Sequence, residues 1–211
     1  MHIKICGITS ERDAHAAVTA GADAVGFVFF PDSPRFVTPL QALTIARCLP
    51  SLVARVGVFV NLPPTKIAAV RSQVGLTAVQ LHGDESPAAA HAVPNPVIKA
   101  FRGAVGLDKI HQYQTAGYLL DADAGSRFGG TGRLADDSTA TALANDPRFM
   151  LAGGLSPDNV ADQIRRYRPS AVDVSTGVET APGQKCPQKM QAFVAAVRSA
   201  EGGAHAWPLA A

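Results

Sequence analysis

Eight short apolar runs rich in β-branched residues recur from one end of the chain to the other, separated by stretches with helical patterning. No other feature constrains the fold as strongly. The runs are HIKIC (2–6), AVGFVF (24–29), VARVGVFV (53–60), AVQLH (78–82), PVIKAF (96–101), GYLLD (117–121), FMLAGG (149–154) and AVDVS (171–175), each followed by a segment able to form a helix. Thr38 before Pro39, and Ser156 before Pro157 and Asp158, read as N-caps followed by proline at the first helical position. Strict alternation dictates parallel strands joined by right-handed crossovers. Eight units in 211 residues predict an α/β single-domain (β/α)8 TIM barrel, near the roughly 200-residue lower bound of that fold, with a doubly wound open sheet as the alternative. The barrel is expected over residues 1–200. Residues 201–211, EGGAHAWPLAA, have no helical period and are expected to form a flexible tail.

A hydrophobic fraction of 47% suits one well-buried core, and a net charge of +2 with scattered Lys and Arg predicts no nucleic-acid and no membrane partner. Any anionic ligand must then be met by local groups. The three cysteines, Cys6, Cys48 and Cys186, are odd in number and widely spaced, which fits a reducing compartment rather than a disulfide framework or a zinc site. With no signal-peptide pattern and no long apolar run, the expected location is the cytoplasm.

Alternate strand residues face opposite sides of a barrel wall. Ile3 and Ile5 suit the contact with helices, which turns Lys4 and Cys6 inward; the same parity turns in Gln80 and His82, Leu119 and Asp121, and Asp173 and Ser175. Buried polar groups need partners, so Lys4, Gln80 and Asp173 read as a hydrogen-bonded set in the barrel floor. Cys6 and Asp121 differ from these, because each ends its strand at the C-terminal rim where barrels of this kind do their chemistry.

Two loops on that rim, AGGLSPDN (152–159) and DVSTGVE (173–179), place Gly153, Gly154, Ser175 and Gly177 where a backbone cradle can approach a phosphate, although Gly153 and Gly154 also suit a plain tight turn. The long segment 121–137 suggests a lid; Gly130, Gly132 and Ala135 within it match a dinucleotide fingerprint by spacing only, too far beyond the strand to count. In PDSPRFVTP (31–39) two prolines stiffen the backbone that presents Arg35, whose fork can clamp a carboxylate or lie solvated on the surface. Lys4 lies two residues from Cys6 on the same face and is expected to favour the thiolate, whereas Cys48 and Cys186 read as inert thiols. A thiolate facing Asp121 across the mouth makes a base and an acid around a phosphate-anchored substrate, enough to relocate a proton with no cofactor and no metal.

The motifs KICGIT, ADAVGFVF, SPRFVTP, RVGVFVN, AVQLHGDE, LLD, GGTG, AGGLSPDNV and AVDVSTGVE, collinear from Lys4 to about Gly183, together resemble the phosphoribosylanthranilate isomerase family of tryptophan biosynthesis. The resemblance implies an Amadori rearrangement of a phosphorylated sugar–anthranilate, with Cys6 as general base and Asp121 as general acid. It further implies Arg35 on the anthranilate carboxylate, the glycine loops on the phosphate, and a monomer or homodimer. In the implied mechanism Asp121 protonates the furanose ring oxygen, the ring opens to a Schiff base, and Cys6 removes the C2′ proton. Asp121 would then need a raised pKa, which burial could supply; Asp123 is the rival acid. One departure is Arg133, with no aromatic after it, where the family usually has lysine and then an aromatic stretch. The competing readings are another phosphate-binding barrel, either a metal-dependent ribulose-phosphate epimerase, for which only His82 is suitably placed, or a thiamine-phosphate synthase relative, and a noncatalytic phosphosugar-binding or partner-binding barrel.

Overall fold

A computed structural model of the chain describes residues 1–122 and 134–201. Asp123, Gly130, Gly132 and Arg133, and with them most of the expected lid, lie outside the described residues. Eight parallel strands close into a barrel in chain order: β1 (His2–Cys6), β2 (Ala24–Val28), β3 (Ala54–Phe59), β4 (Ala78–Leu81), β5 (Val97–Arg102), β6 (Gly117–Asp121), β7 (Phe149–Leu151) and β8 (Ala171–Val174), which pairs back to β1. The helices between them are α1 (Glu11–Ala20), α2 (Pro39–Arg47), α3 (Pro64–Val74), α4 (Pro87–His91), α5 (Leu107–His111), α6 (Asp137–Ala142) and α7 (Val160–Tyr167), and α8 (Pro187–Ala200) follows β8. A 3-10 turn (Thr176–Val178) and a small antiparallel hairpin, β9 (Glu179–Ala181) with β10 (Gln184–Lys185), come between β8 and α8. Among the described residues no helix is long and apolar enough to cross a membrane.

Local chemistry accounts for most boundaries. Thr38 caps α2 with a reciprocal box, its hydroxyl accepting the Gln41 N–H while Gln41 Oε1 accepts the Thr38 N–H at 2.9 Å, and Pro39 opens the helix. The second predicted cap is not one: α7 starts at Val160, and Ser156 and Pro157 belong to a preceding turn. The seventh strand is also shorter than its apolar run, because Gly153 and Gly154 adopt φ of 76° and 57° and end the extended backbone. At the far end Glu201 pairs with the Met1 amino group and with Arg198; 202–211, the rest of the expected tail, lies outside the described residues.

The barrel wall separates two apolar regions. Ile3, Ile5, Val25, Phe27 and Val79 pack outward in the main core, while Ala100, Leu119 and Ala152 fill the interior with Ile98 and Met150. Closure sets Lys4 opposite Asp173 in the β1–β8 register, and their buried side chains meet at 2.8 Å. Gln80, expected in the same set, instead lies 2.9 Å from His82 Nδ1, which stands two residues on and shares its inward face.

Candidate active site

Two adjoining cavities open at the C-terminal ends of the strands. One, of about 390 Å³, is walled by the loops after β7 and β8, with Gly153, Gly154, Ser156, Asn159 and Gly177 on its edge. The other, of about 80 Å³, lies among Cys6, Val28, Arg35, Val58, Gln80 and His82. Asp121, Asp173 and Ser175 line both, so the candidate acid sits where the two spaces meet. A separate cavity between the loops after β4 and β5 is larger, about 530 Å³, but contains none of the candidate residues, and its Lys99 and Arg102 are paired with Glu85 and Asp84.

Cys6 ends β1 and stands in register with Gly26 of β2. A Cβ on Gly26 would lie 2.7 Å from the Cys6 sulfur, so this glycine is the space the thiol occupies. Burial pushes the Cys6 thiol above the ordinary range, the Asp173 charge adds to it, and Lys4 and Lys185 offset only part. The expectation of a resting thiolate is therefore corrected: Lys4 acts in the expected direction, but it is engaged by Asp173 and the loss of water outweighs it.

Asp121 is corrected in the opposite sense. Burial is again the largest single influence and pushes its carboxyl up, yet His82, the backbone N–H of Ala122 and the charge of Lys4 together hold it below the ordinary carboxylate range. Oδ1 accepts the Ala122 N–H at 2.8 Å, and Oδ2 lies 3.2 Å from His82 Nε2. That second contact is close but poorly aligned for a hydrogen bond, and Nε2 of His82 and Oε1 of Gln80 are both buried without a hydrogen-bond partner. The loop that carries His82 is pinned by Glu85, which accepts the N–H groups of Gly83 and Asn61 and the Lys99 ammonium at 2.9 Å.

The cradle glycines serve turn geometry and close approach together. A Cβ on Gly153 would meet the Ala122 nitrogen at 2.5 Å, and one on Gly177 would run into the Leu155 carbonyl. Asn159 closes the first loop on itself, accepting the Ser156 N–H at 2.8 Å and donating to the Gly154 carbonyl at 2.9 Å. Arg35 is not a solvated surface arginine. Its side chain is 12% exposed and bound to Glu179.

Sequence reasoning brought Cys6, Arg35, Gln80, His82, Asp121, Asp173 and Ser175 to one mouth but missed Gly26, Asn159, Glu179 and Lys185. A glycine inside an apolar strand is a readable sign of close approach, and Asn159 three residues after Ser156 fits a side-chain-closed turn. Nothing local marks Glu179 as the partner of Arg35, or Lys185 as the second cation on that carboxylate. Among the described residues no group of three or more His, Cys, Asp or Glu side chains is arranged to hold a metal ion.

The family model described as N-(5′-phosphoribosyl)anthranilate (PRA) isomerase matches residues 3–196. The N-(5′-phosphoribosyl)anthranilate isomerase of Trichlorobacter lovleyi is 49% identical over 195 residues, 91% of this chain and 95% of the relative. Among solved structures, phosphoribosyl anthranilate isomerase from Thermus thermophilus superposes with a TM-score of 0.86 at 39% identity, covering 94% of this chain and 99% of that one. A phosphoribosyl anthranilate isomerase in complex with reduced 1-(o-carboxyphenylamino)-1-deoxyribulose 5-phosphate superposes at 0.76 with 38% identity, covering 96% and 99%. The chain belongs to the N-(5′-phosphoribosyl)anthranilate isomerase family.

Proposed function

We propose that this isomerase converts N-(5′-phosphoribosyl)anthranilate to 1-(2-carboxyphenylamino)-1-deoxyribulose 5-phosphate by general acid–base catalysis, with Cys6 as the base and Asp121 as the acid. One observation carries the reading: the strand-end thiol and carboxyl line the same small cavity, and the carboxyl also borders the glycine cradle next to it. The substrate phosphate is assigned to the cradle of Gly153, Gly154 and Gly177 beside Ser175, and the aromatic ring to the smaller cavity against Val28 and Val58, which must open further to admit it, with its carboxylate toward Arg35. The furanose then spans from one cavity to the other, past Asp121. Asp121 gives a proton to the ring oxygen, the ring opens to a protonated Schiff base, and Cys6 takes the proton from C2′. The resulting enolamine tautomerises to the ketone.

The resting ionisation fits this scheme once the pair is treated as a unit. With the thiol raised and the carboxyl lowered, Cys6 and Asp121 together hold one proton at neutral pH, and it rests on sulfur. The reactive arrangement carries the same proton on Asp121 instead. A phosphate entering the cradle brings negative charge and displaces water beside Asp121, while Cys6 borders only the other cavity, so binding favours the neutral carboxyl. Three free cysteines support a place in the cytoplasm. The scattered net charge of +2 supports a small phosphorylated partner rather than nucleic acid.

A turnover assay with freshly generated N-(5′-phosphoribosyl)anthranilate tests the roles, with and without a chelator. Activity is expected to survive chelation, and kcat is expected to fall on the order of 10²- to 10⁴-fold in Asp121→Asn and in Cys6→Ser. Near-normal rates in both variants would remove the assigned roles, and loss of activity on chelation would favour the metal-dependent alternative.

A further inference from the structure

Arg35 is held in place by a carboxylate of its own chain. Its Nε donates to Glu179 Oε1 at 2.8 Å and its Nη2 to Glu179 Oε2 at 2.6 Å, the side-on fork of a bidentate pair, and Nη2 also reaches the Thr176 hydroxyl at 3.3 Å. Nη1 has no partner among the described residues, and Arg35 lines the cavity that holds Cys6. Gly7 leaves room for the stem, since a Cβ there would run into Arg35 Cδ. The guanidinium plane is thus fixed along one edge, and the donor that remains belongs to the opposite edge.

Glu179 has a second cation beneath it. Lys185 Nζ meets Oε1 at 2.7 Å and is fully enclosed, its other contacts being the Ser175 carbonyl at 3.2 Å and hydroxyl at 3.4 Å. Without Lys185 the carboxylate would cancel the charge of Arg35 and leave nothing to attract an anion. With it, two cations share one carboxylate and a net charge of +1 remains on the Arg35–Glu179–Lys185 set. The β9–β10 hairpin, which supplies both Glu179 and Lys185, then has work beyond closing the chain between β8 and α8.

We infer that Glu179, supported by Lys185, is the positioning residue that aims Arg35 at the substrate carboxylate, and that this pair sets the preference for a carboxylated over an uncharged aromatic amine. The inference rests on the role proposed above for Arg35. A mere staple for the hairpin would stabilise the fold without distinguishing the two kinds of substrate.

The test compares kcat and KM for N-(5′-phosphoribosyl)anthranilate and for the carboxylate-free phosphoribosylaniline, in the unmutated chain, Glu179→Gln, Glu179→Asp, Arg35→Gln and the Arg35→Gln/Glu179→Gln double variant. Glu179→Gln is expected to raise KM about tenfold for the carboxylated substrate while leaving its kcat, and KM for the aniline compound, within about twofold. In the Arg35→Gln background the same change is expected to add less than about twofold, the sign of a shared interaction. Glu179→Asp keeps the charge and is expected to show a smaller KM rise, still confined to the carboxylated substrate; it also decides the question if Glu179→Gln does not fold. Calorimetry with reduced 1-(o-carboxyphenylamino)-1-deoxyribulose 5-phosphate and its carboxylate-free counterpart reads the same contrast without turnover. An inactive unmutated chain would therefore overturn the proposed reaction while the role of Glu179 is still decided. Equal weakening for both ligand types, or a full Glu179 effect without Arg35, would overturn the inference.

Discussion

Cys6 and Asp121 end two strands of one barrel, line one cavity and are almost equally enclosed, 8% and 9% exposed, yet their surroundings drive them in opposite directions. Around the sulfur there are cations in plenty, but each is already engaged: Lys4 by Asp173 at 2.8 Å, and Arg35 and Lys185 by Glu179. Lys4 and Lys185 still act on the thiol, but burial and the Asp173 charge together outweigh them, so the proton stays. Around the carboxyl an imidazole nitrogen at 3.2 Å, a backbone N–H at 2.8 Å and the charge of Lys4 together outweigh burial. The ionisation of each group turns on whether the groups that touch it together outweigh the water it has lost.

The largest expected effect comes from breaking the floor beneath the thiol. Lys4→Met leaves Asp173 buried without its cation, and a loss of about 3–5 kcal/mol of stability is expected in urea unfolding. In the fraction that folds, Cys6 should titrate still higher, because Lys4 lowers it now; an unchanged thiol titration, followed by thiolate absorbance in a Cys48→Ser/Cys186→Ser background, would show that the Lys4 field never reaches the sulfur. Next comes the space that the thiol occupies. Gly26→Ala puts a methyl 2.7 Å from the present place of the sulfur, and a loss of about tenfold in kcat is expected from the displaced base, with affinity for a phosphate analogue nearly unchanged. Stopped-flow rates beside phosphate-analogue binding separate the two.

The smallest effect belongs to the carboxyl side. Activity should run on a broad plateau, with an acid limb below the ordinary carboxylate range and an alkaline limb above the ordinary thiol range, because the one-proton form of the pair persists between the two values. His82 holds Asp121 down, so His82→Asn should move the acid limb of kcat/KM upward, by less than about one pH unit, and leave the alkaline limb in place. Movement of the alkaline limb instead would mean that His82 acts on Cys6 and that the two sides of the mouth are not separate.

The β1 motif shows how far sequence carried. HIKIC is a strand with outward isoleucines and inward Lys4 and Cys6, and the same parity correctly turned Asp121, Asp173 and Ser175 toward one mouth. The glycine loops after β7 and β8 were equally legible, since positive φ and close approach are demands a glycine answers locally. The start of α7 was misplaced because Ser156–Pro157 suits a turn as well as a cap, and Asn159 settles the matter through contacts inside the loop. For Gln80 the face was right and the partner wrong. Parity names a direction, not which of several inward groups lies within reach.

From its sequence alone the chain determined the alternation of strands and helices, the inward side of each strand and the residues at the rim, because these follow from the two-residue period of extended backbone and the chemistry of neighbouring residues. Tertiary structure decided the ionisation of Cys6 and Asp121 and the grip of Glu179 on Arg35. Such interactions depend on separations of a few ångströms between groups as distant in the chain as Lys4 and Asp173, or Arg35 and Glu179, and barrel closure brings them together.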